Sequence, residues 1–158
     1  MKEILQLLKQ NARLSNAELA AMTNRTEDEV AQMIEQMEHD GIIRGYSVIL
    51  DDELADQDTV SAYIELKVTP KPDCGFEEIA RIITAYPEVD SVTLMSGGYD
   101  LGLTVKGSNL RDIAAFVAQR LSALDGVLST ATHFVLKHYK EKGILIIEEP
   151  DDERSVVS

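Results

Sequence analysis

The chain has 158 residues, room for one typical domain or two small ones, and its hydrophobic fraction of 44% excludes an intrinsically disordered protein. A formal net charge of −13 works against nucleic-acid affinity at long range. The longest aliphatic run near the end, Ile144 to Ile147, is too short to span a bilayer, so no membrane partner is expected. The one cysteine, Cys74, excludes an intrachain disulfide, and Met1 leads straight into a helical pattern with no signal-like segment; the expected location is cytoplasmic.

In chain order, the first expected element is a helix carrying Ile4, Leu5, Leu7, Leu8 and Ala12. Ser15 with Glu18, and Thr26 with Glu29, then fit the capping box S/T-x-x-E, and two boxes this close mark two short helices. Met22 to Arg25 is the turn between them, with Asn24 suited to a left-handed position. The second of these helices repeats apolar residues at Val30, Met33, Ile34 and Met37, and Gly41 is its expected C-terminal stop. Ile42 to Tyr46 reads as a short strand and a turn. Three small helices and a strand suggest a winged helix-turn-helix over residues 1–46.

The charge of this segment opposes that architecture. The presumed reading helix, Thr26 to Asp40, carries Glu27, Asp28, Glu29, Glu35, Glu38 and Asp40 and no Lys or Arg. Residues 1–46 hold five Lys or Arg against eight Asp or Glu, a net of −3. Affinity for duplex DNA comes mainly from cations neutralising phosphates. The acids at 27–29 have a separate use, since negative charge stabilises a helix N-terminus.

Beyond Tyr46, Ser47 to Leu50 is strand-like and Asp51 to Asp58 is acidic; together, residues 47–58 read as a linker. Val60, Ala62, Ile64, Leu66 and Val68 alternate with polar neighbours as a half-buried strand, stopped by Pro70 and Pro72. Phe76, Ile79, Ala80 and Ile83 form a helical stripe ending at Tyr86-Pro87. Val89 to Ser96 and Leu101 to Val105 read as two strands joined by a tight Gly97-Gly98 turn. Asn109 is the expected N-cap of a helix carrying Leu110, Ile113, Ala114, Val117, Leu121 and Leu124, closed by Gly126. Leu128 to Tyr139 is a long final strand. The order strand, helix, strand, strand, helix, strand is that of the ferredoxin-like fold, here over residues 59–142. The fold class is therefore α+β, a winged helix-turn-helix followed by a ferredoxin-like βαββαβ domain. Two helices cover one sheet face; the other, carrying Tyr63, Met95 and Val135, is expected to be apolar and to meet a second copy of the chain. Residues 143–158 are a C-terminal extension: Ile144 to Ile147 is expected to add an edge strand or pack on a neighbouring subunit, and Glu148 to Glu153 forms an acidic tip expected to fray.

The arrangement resembles the leucine-responsive regulator (Lrp/AsnC) family of transcription factors. The residues that carry the resemblance are Leu14 to Ala20, Gly41 to Tyr46, Pro87 to Val89, Ser96 to Leu101 and Leu128 to Thr132. It covers roughly Lys2 to Lys142. It implies homodimers, often assembled into octamers, and a small effector, typically an amino acid, bound between dimers. Carried onto this chain, Gly97, Gly98, Tyr99 and Asp100 would line the effector site with Thr130 and Thr132. Glycine turns present backbone N–H groups to a carboxylate, and Asp100 would take an ammonium group or else cap the turn.

Against the family pattern, the exposed positions of the reading helix are Ala31, Gln32, Glu35 and Gln36 instead of several Lys or Arg. Gln32 and Gln36 suit adenine edges, Thr26 a base or phosphate, and Arg25 and Arg44 phosphates of double-stranded DNA. The expectation is DNA binding that is weak per dimer and depends on assembly. The alternative is an amino-acid-sensing assembly whose helix-turn-helix no longer binds DNA.

No enzyme is expected. His39, His133 and His138 have no metal spacing with Cys74, and His133 reads as a packed or interface histidine. No phosphate loop precedes a helix and no nucleophile elbow appears, so no cofactor is expected. A remote alternative is a sirohaem decarboxylase, which shares the two-domain layout, but His133 and Arg44 are too few for a porphyrin cleft.

Overall fold

The computed structural model describes residues 1–55 and 58–147. The acidic tip at 148–153 lies outside them. The chain parts into two compact units between Val48 and Ile49.

The first unit holds three helices, α1 (Lys2–Gln10), α2 (Asn16–Thr23) and α3 (Glu27–His39). Both capping boxes form: Ser15 and Thr26 accept the N–H of Glu18 and Glu29, whose carboxylates take the N–H of Ser15 and Thr26 in return. Asn24 is left-handed (φ 53, ψ 48) and turns α2 into α3. Gly41 (φ 70) closes α3 with paired bonds, from the Gly41 N–H to the Glu38 carbonyl (3.1 Å) and from the Ile42 N–H to the Met37 carbonyl (2.9 Å). Ile4, Leu8, Leu19, Ala20, Val30 and Met37 form the core.

Two expectations change here. Ala12 lies beyond α1, because the Asn11 side chain accepts the Arg13 N–H (3.0 Å) and offers the backbone an alternative to the helix. Neither Ile42 to Tyr46 nor Ser47 to Leu50 forms a strand. A strand needs a neighbour for its N–H and C=O groups, and the described residues of this unit contain none. The segment is fastened instead by a hydrogen bond from the Tyr46 hydroxyl to Glu38 Oε1 (2.7 Å), which raises the pKa of Tyr46.

The second unit runs β1 (Val60–Val68), α4 (Glu77–Thr84), β2 (Val89–Leu94), β3 (Leu101–Gly107), α5 (Leu110–Phe116) and β4 (Val127–Phe134). The four strands form one antiparallel sheet in the order β2-β3-β1-β4. Asn109 caps α5 by accepting the Asp112 N–H (2.8 Å), and the helix continues as a π-helical turn, Val117–Leu121. Ala62, Ile64, Leu66 and Val68 pack with Leu101, Leu103 and Val105 beneath Ile79, Ile83, Ile113 and Phe116, which is the helix-covered core.

The final strand is shorter than its sequence suggests. It ends at Phe134, and the following chain folds a separate hairpin, β5 (Lys140–Glu141) with β6 (Ile144–Leu145). Lys142 and Gly143 both have positive φ (46 and 86), as the two-residue turn matched to hairpin twist requires. Ile144 therefore adds no edge to the main sheet.

The outer sheet face also departs from expectation. Register places Ser61, Tyr63, Glu65 and Lys67 of β1 on it, beside Gly102, Thr104 and Lys106 of β3 and Ala131 and His133 of β4. This surface is polar, because the inward positions took nearly all the large aliphatic residues of β1 and β3. The exposed apolar side chains of the second unit include Leu94, Leu128, Leu136, Tyr139, Ile144 and Leu145.

Candidate DNA interface and effector site

In the first unit, α3 presents Gln32, Glu35 and Gln36 to solvent, with Ala31 partly covered. Of the residues expected to touch DNA, two are already engaged. Gln36 Nε2 donates to Asp40 Oδ1 (2.8 Å), one turn on. The Thr26 hydroxyl accepts the Glu29 N–H (3.2 Å) within its cap and lies at 3.2 Å from Glu29 Oε2. Arg25 and Arg44 are exposed at the two ends of α3. The Arg44 guanidinium lies over Gly41, where a Cβ would meet its Cζ at 2.9 Å. Glu29 is held below the usual carboxylate range by the Thr26 backbone N–H and then its hydroxyl, with a smaller contribution from Arg25. It therefore remains an anion beside the helix N-terminus. Gln32 and the two arginines are the expected contacts whose polar groups are not drawn into the helix.

In the second unit, Leu94 pairs with Leu101, so the β2–β3 connection runs from Met95 to Asp100. It is wider than the tight glycine turn read from the sequence. Of its two glycines only Gly97 has positive φ (157), so the pair does not form the type I′ turn, which needs it at both positions. The Met95 N–H bonds to the Asp100 carbonyl (2.8 Å) across the base of the loop. Asp100 is half-buried; its N–H donates to the Leu66 carbonyl (2.9 Å), and its Oδ2 accepts the Val68 N–H (2.8 Å). The carboxylate thus continues the β1–β3 ladder past the last backbone pair, the turn-capping alternative raised by the sequence. Gly97 and Gly98 are exposed beside it.

Tyr99 reaches Tyr63, a residue the sequence reading left outside the site. Their hydroxyls are 2.7 Å apart and their rings meet edge to face, with centroids 6.2 Å apart. The shared hydrogen bond and partial burial push the Tyr63 pKa up to about 12. Glu65 neighbours Tyr63 on this face and faces His133 at 3.5 Å, so His133 is an exposed partner of a carboxylate and not a packed residue.

Thr130 and Thr132 are not brought to this cluster. They pair with Leu66 and Ile64, whose side chains point into the helix-covered core, whereas Tyr63 occupies the outer face. Strand residues directly opposite one another share a face. Within one protomer, the two threonines and the Tyr63–Tyr99 pair lie on opposite sides of the sheet.

Residues 1–44 match the family model for a winged helix-turn-helix DNA-binding domain, and residues 61–145 match the Lrp/AsnC ligand-binding domain. The chain belongs to the Lrp/AsnC family of transcriptional regulators. It is 43% identical to YugG of Bacillus subtilis, an uncharacterized HTH-type transcriptional regulator, over 99% of this chain and 95% of that protein. It is 27% identical to the leucine-responsive regulatory protein of Haemophilus influenzae, over 92% of this chain and 87% of the relative. Among solved structures it resembles a transcriptional regulator of Neisseria meningitidis crystallised as an L-methionine complex. That likeness has a TM-score of 0.70 at 29% identity and covers 90% of this chain and 92% of the other. The family comprises transcriptional regulators, not enzymes. Among the described residues of this Lrp/AsnC protein, no helix is long and apolar enough to cross a membrane.

Proposed function

We propose that this regulator binds an amino acid at the Met95–Asp100 loop and couples its occupancy to DNA binding by α3. The observation that carries this reading is a loop with exposed Gly97 and Gly98 backbone, fastened to β1 by Asp100 and Tyr99. Exposed glycine N–H groups suit a carboxylate, and an adjacent carboxylate suits an ammonium. The N. meningitidis relative, whose solved complex contains L-methionine, makes that amino acid the first to try. Thr130 and Thr132 would join such a site only from a second protomer, which fits a site lying between dimers.

The same reading includes a homodimer, assembled further into an octamer. The polar outer sheet face does not supply the apolar contact first expected there. The exposed Leu136, Tyr139, Ile144 and Leu145 supply it better. We further propose the cytoplasm as the site of action and residues 1–46 and 59–142 as the functional domains.

DNA contact falls to Arg25, Gln32 and Arg44, with Thr26 and Gln36 joining if they exchange their intramolecular partners for DNA. So few cations make binding weak per dimer and dependent on several dimers acting together. Gel shifts on the upstream region of its own gene, across salt and with L-methionine, test the reading. Arg25→Ala and Arg44→Ala should each flatten the log-affinity against log-salt slope by about 1. Affinity no greater than for random DNA at low salt would favour the sensor whose helix-turn-helix no longer reads DNA. For the effector, Asp100→Asn keeps an acceptor for the Val68 N–H while removing the charge. It should abolish the thermal shift caused by L-methionine; an unchanged shift removes the Asp100 charge from the site.

A further inference from the structure

The Met95–Asp100 loop has two side-chain ties to β1. One is Asp100 Oδ2 to the Val68 N–H at its end, and the other is the Tyr99 hydroxyl to the Tyr63 hydroxyl (2.7 Å). Gly97 and Gly98, which lead into these ties, make the rest of the loop expensive to order, because glycine loses the most conformational freedom on being fixed. Tyr63 reaches this position only because of its neighbour on β3. A Cβ on Gly102 would collide with the Tyr63 hydroxyl oxygen and lie 2.9 Å from its Cζ, so any other residue at 102 displaces the ring. Both tyrosines are half-buried and meet edge to face, at 77° between ring planes, which fixes their relative orientation. In such a pair one hydroxyl donates to the other, and the accepting hydroxyl keeps its own proton for a third group.

We propose that Tyr63, admitted by Gly102, is the positioning residue of the effector loop: acting through Tyr99, it holds Met95–Asp100 in one orientation and thereby sets the affinity for the amino acid. The affinity half rests on the effector reading above; the positioning half does not. Order set in advance of binding is not charged against affinity when the ligand arrives.

The full-length chain is compared with Tyr63→Phe, Tyr99→Phe, the double variant and Gly102→Ala. Two readouts are taken: amide hydrogen exchange at Gly97 to Asp100 without ligand, and titration with L-methionine and the other common amino acids. Tyr63→Phe keeps the ring and the fold, so its ligand-free melting midpoint should stay near that of the parent. Each single variant should exchange the loop amides faster and bind its amino acid about tenfold more weakly, the upper end of what one net hydrogen bond supplies. The double variant should be no worse than either single one, because both remove the same bond. Gly102→Ala should reproduce the Tyr63→Phe pattern. Unchanged loop exchange in Tyr63→Phe, or effects that add in the double variant, overturns the positioning role. A parent protein that binds no amino acid overturns the effector reading and the affinity half with it, while loop exchange still decides the positioning half.

Discussion

The carboxylates of α2 and α3 do more for the helices than their exposure suggests. Glu29 accepts the Thr26 N–H at 2.8 Å, and Glu18 accepts the Ser15 N–H at 2.7 Å. These bonds favour the charged form and hold both pKa values below the ordinary glutamate value of 4.5. A folded-state pKa below the unfolded one gives stability that is present above about pH 4.5 and is lost as pH falls through the lowered value. The first unit should therefore melt at progressively lower temperature as pH drops below 4.5, and Glu29→Gln should flatten that dependence, read by far-UV circular dichroism. Thr26→Ala should cost about 1 kcal/mol, the usual loss for an N-cap, with Thr26→Ser restoring most of it. These residues were legible in the sequence because a capping box is local: four consecutive residues contain both partners. Tyr63 was not legible, because its partner Tyr99 is distant in the chain and Gly102 carries no side chain to signal the approach.

Among the elements, β1 organises the second unit. Its inward residues Ala62, Ile64, Leu66 and Val68 are core, while Tyr63 and Glu65 on the opposite face meet Tyr99 and His133. Ile64→Ala should cost roughly 2–5 kcal/mol by chemical denaturation, as truncation of a fully buried aliphatic residue does. A loss below 1 kcal/mol would mean that the site collapses around the missing atoms. Alternation made β1 readable from its sequence. The segments Ile42 to Leu50 and Val135 to Tyr139 carry similar apolar residues but are not strands in this structure. Apolar content marks what a strand would bury, whereas strand formation also needs a partner backbone.

For the whole molecule, the net charge of −13 and the exposed aliphatic surface near the C-terminal hairpin pull in opposite directions. Charge keeps copies apart at low salt; burial of Leu136 and its neighbours draws them together. If the proposed homodimer uses that surface, sedimentation velocity at micromolar protein should give a dimer or larger species, strengthened by salt. Leu136→Lys should shift it toward monomer, and DNA affinity should fall with it. A monomer across concentration and salt would remove assembly from the account of DNA binding.

The sequence by itself determined the two units, the helix caps and left-handed turns, the inward face of β1 and the family, because each depends on neighbours in the chain or on a short repeating period. The tertiary structure decided which sheet face is polar, how the Met95–Asp100 loop is fastened, on which side Thr130 and Thr132 lie, and which α3 side chains are already engaged. Those outcomes depend on strand register and on partners distant in sequence, and a shift of one residue in register exchanges the faces of a strand.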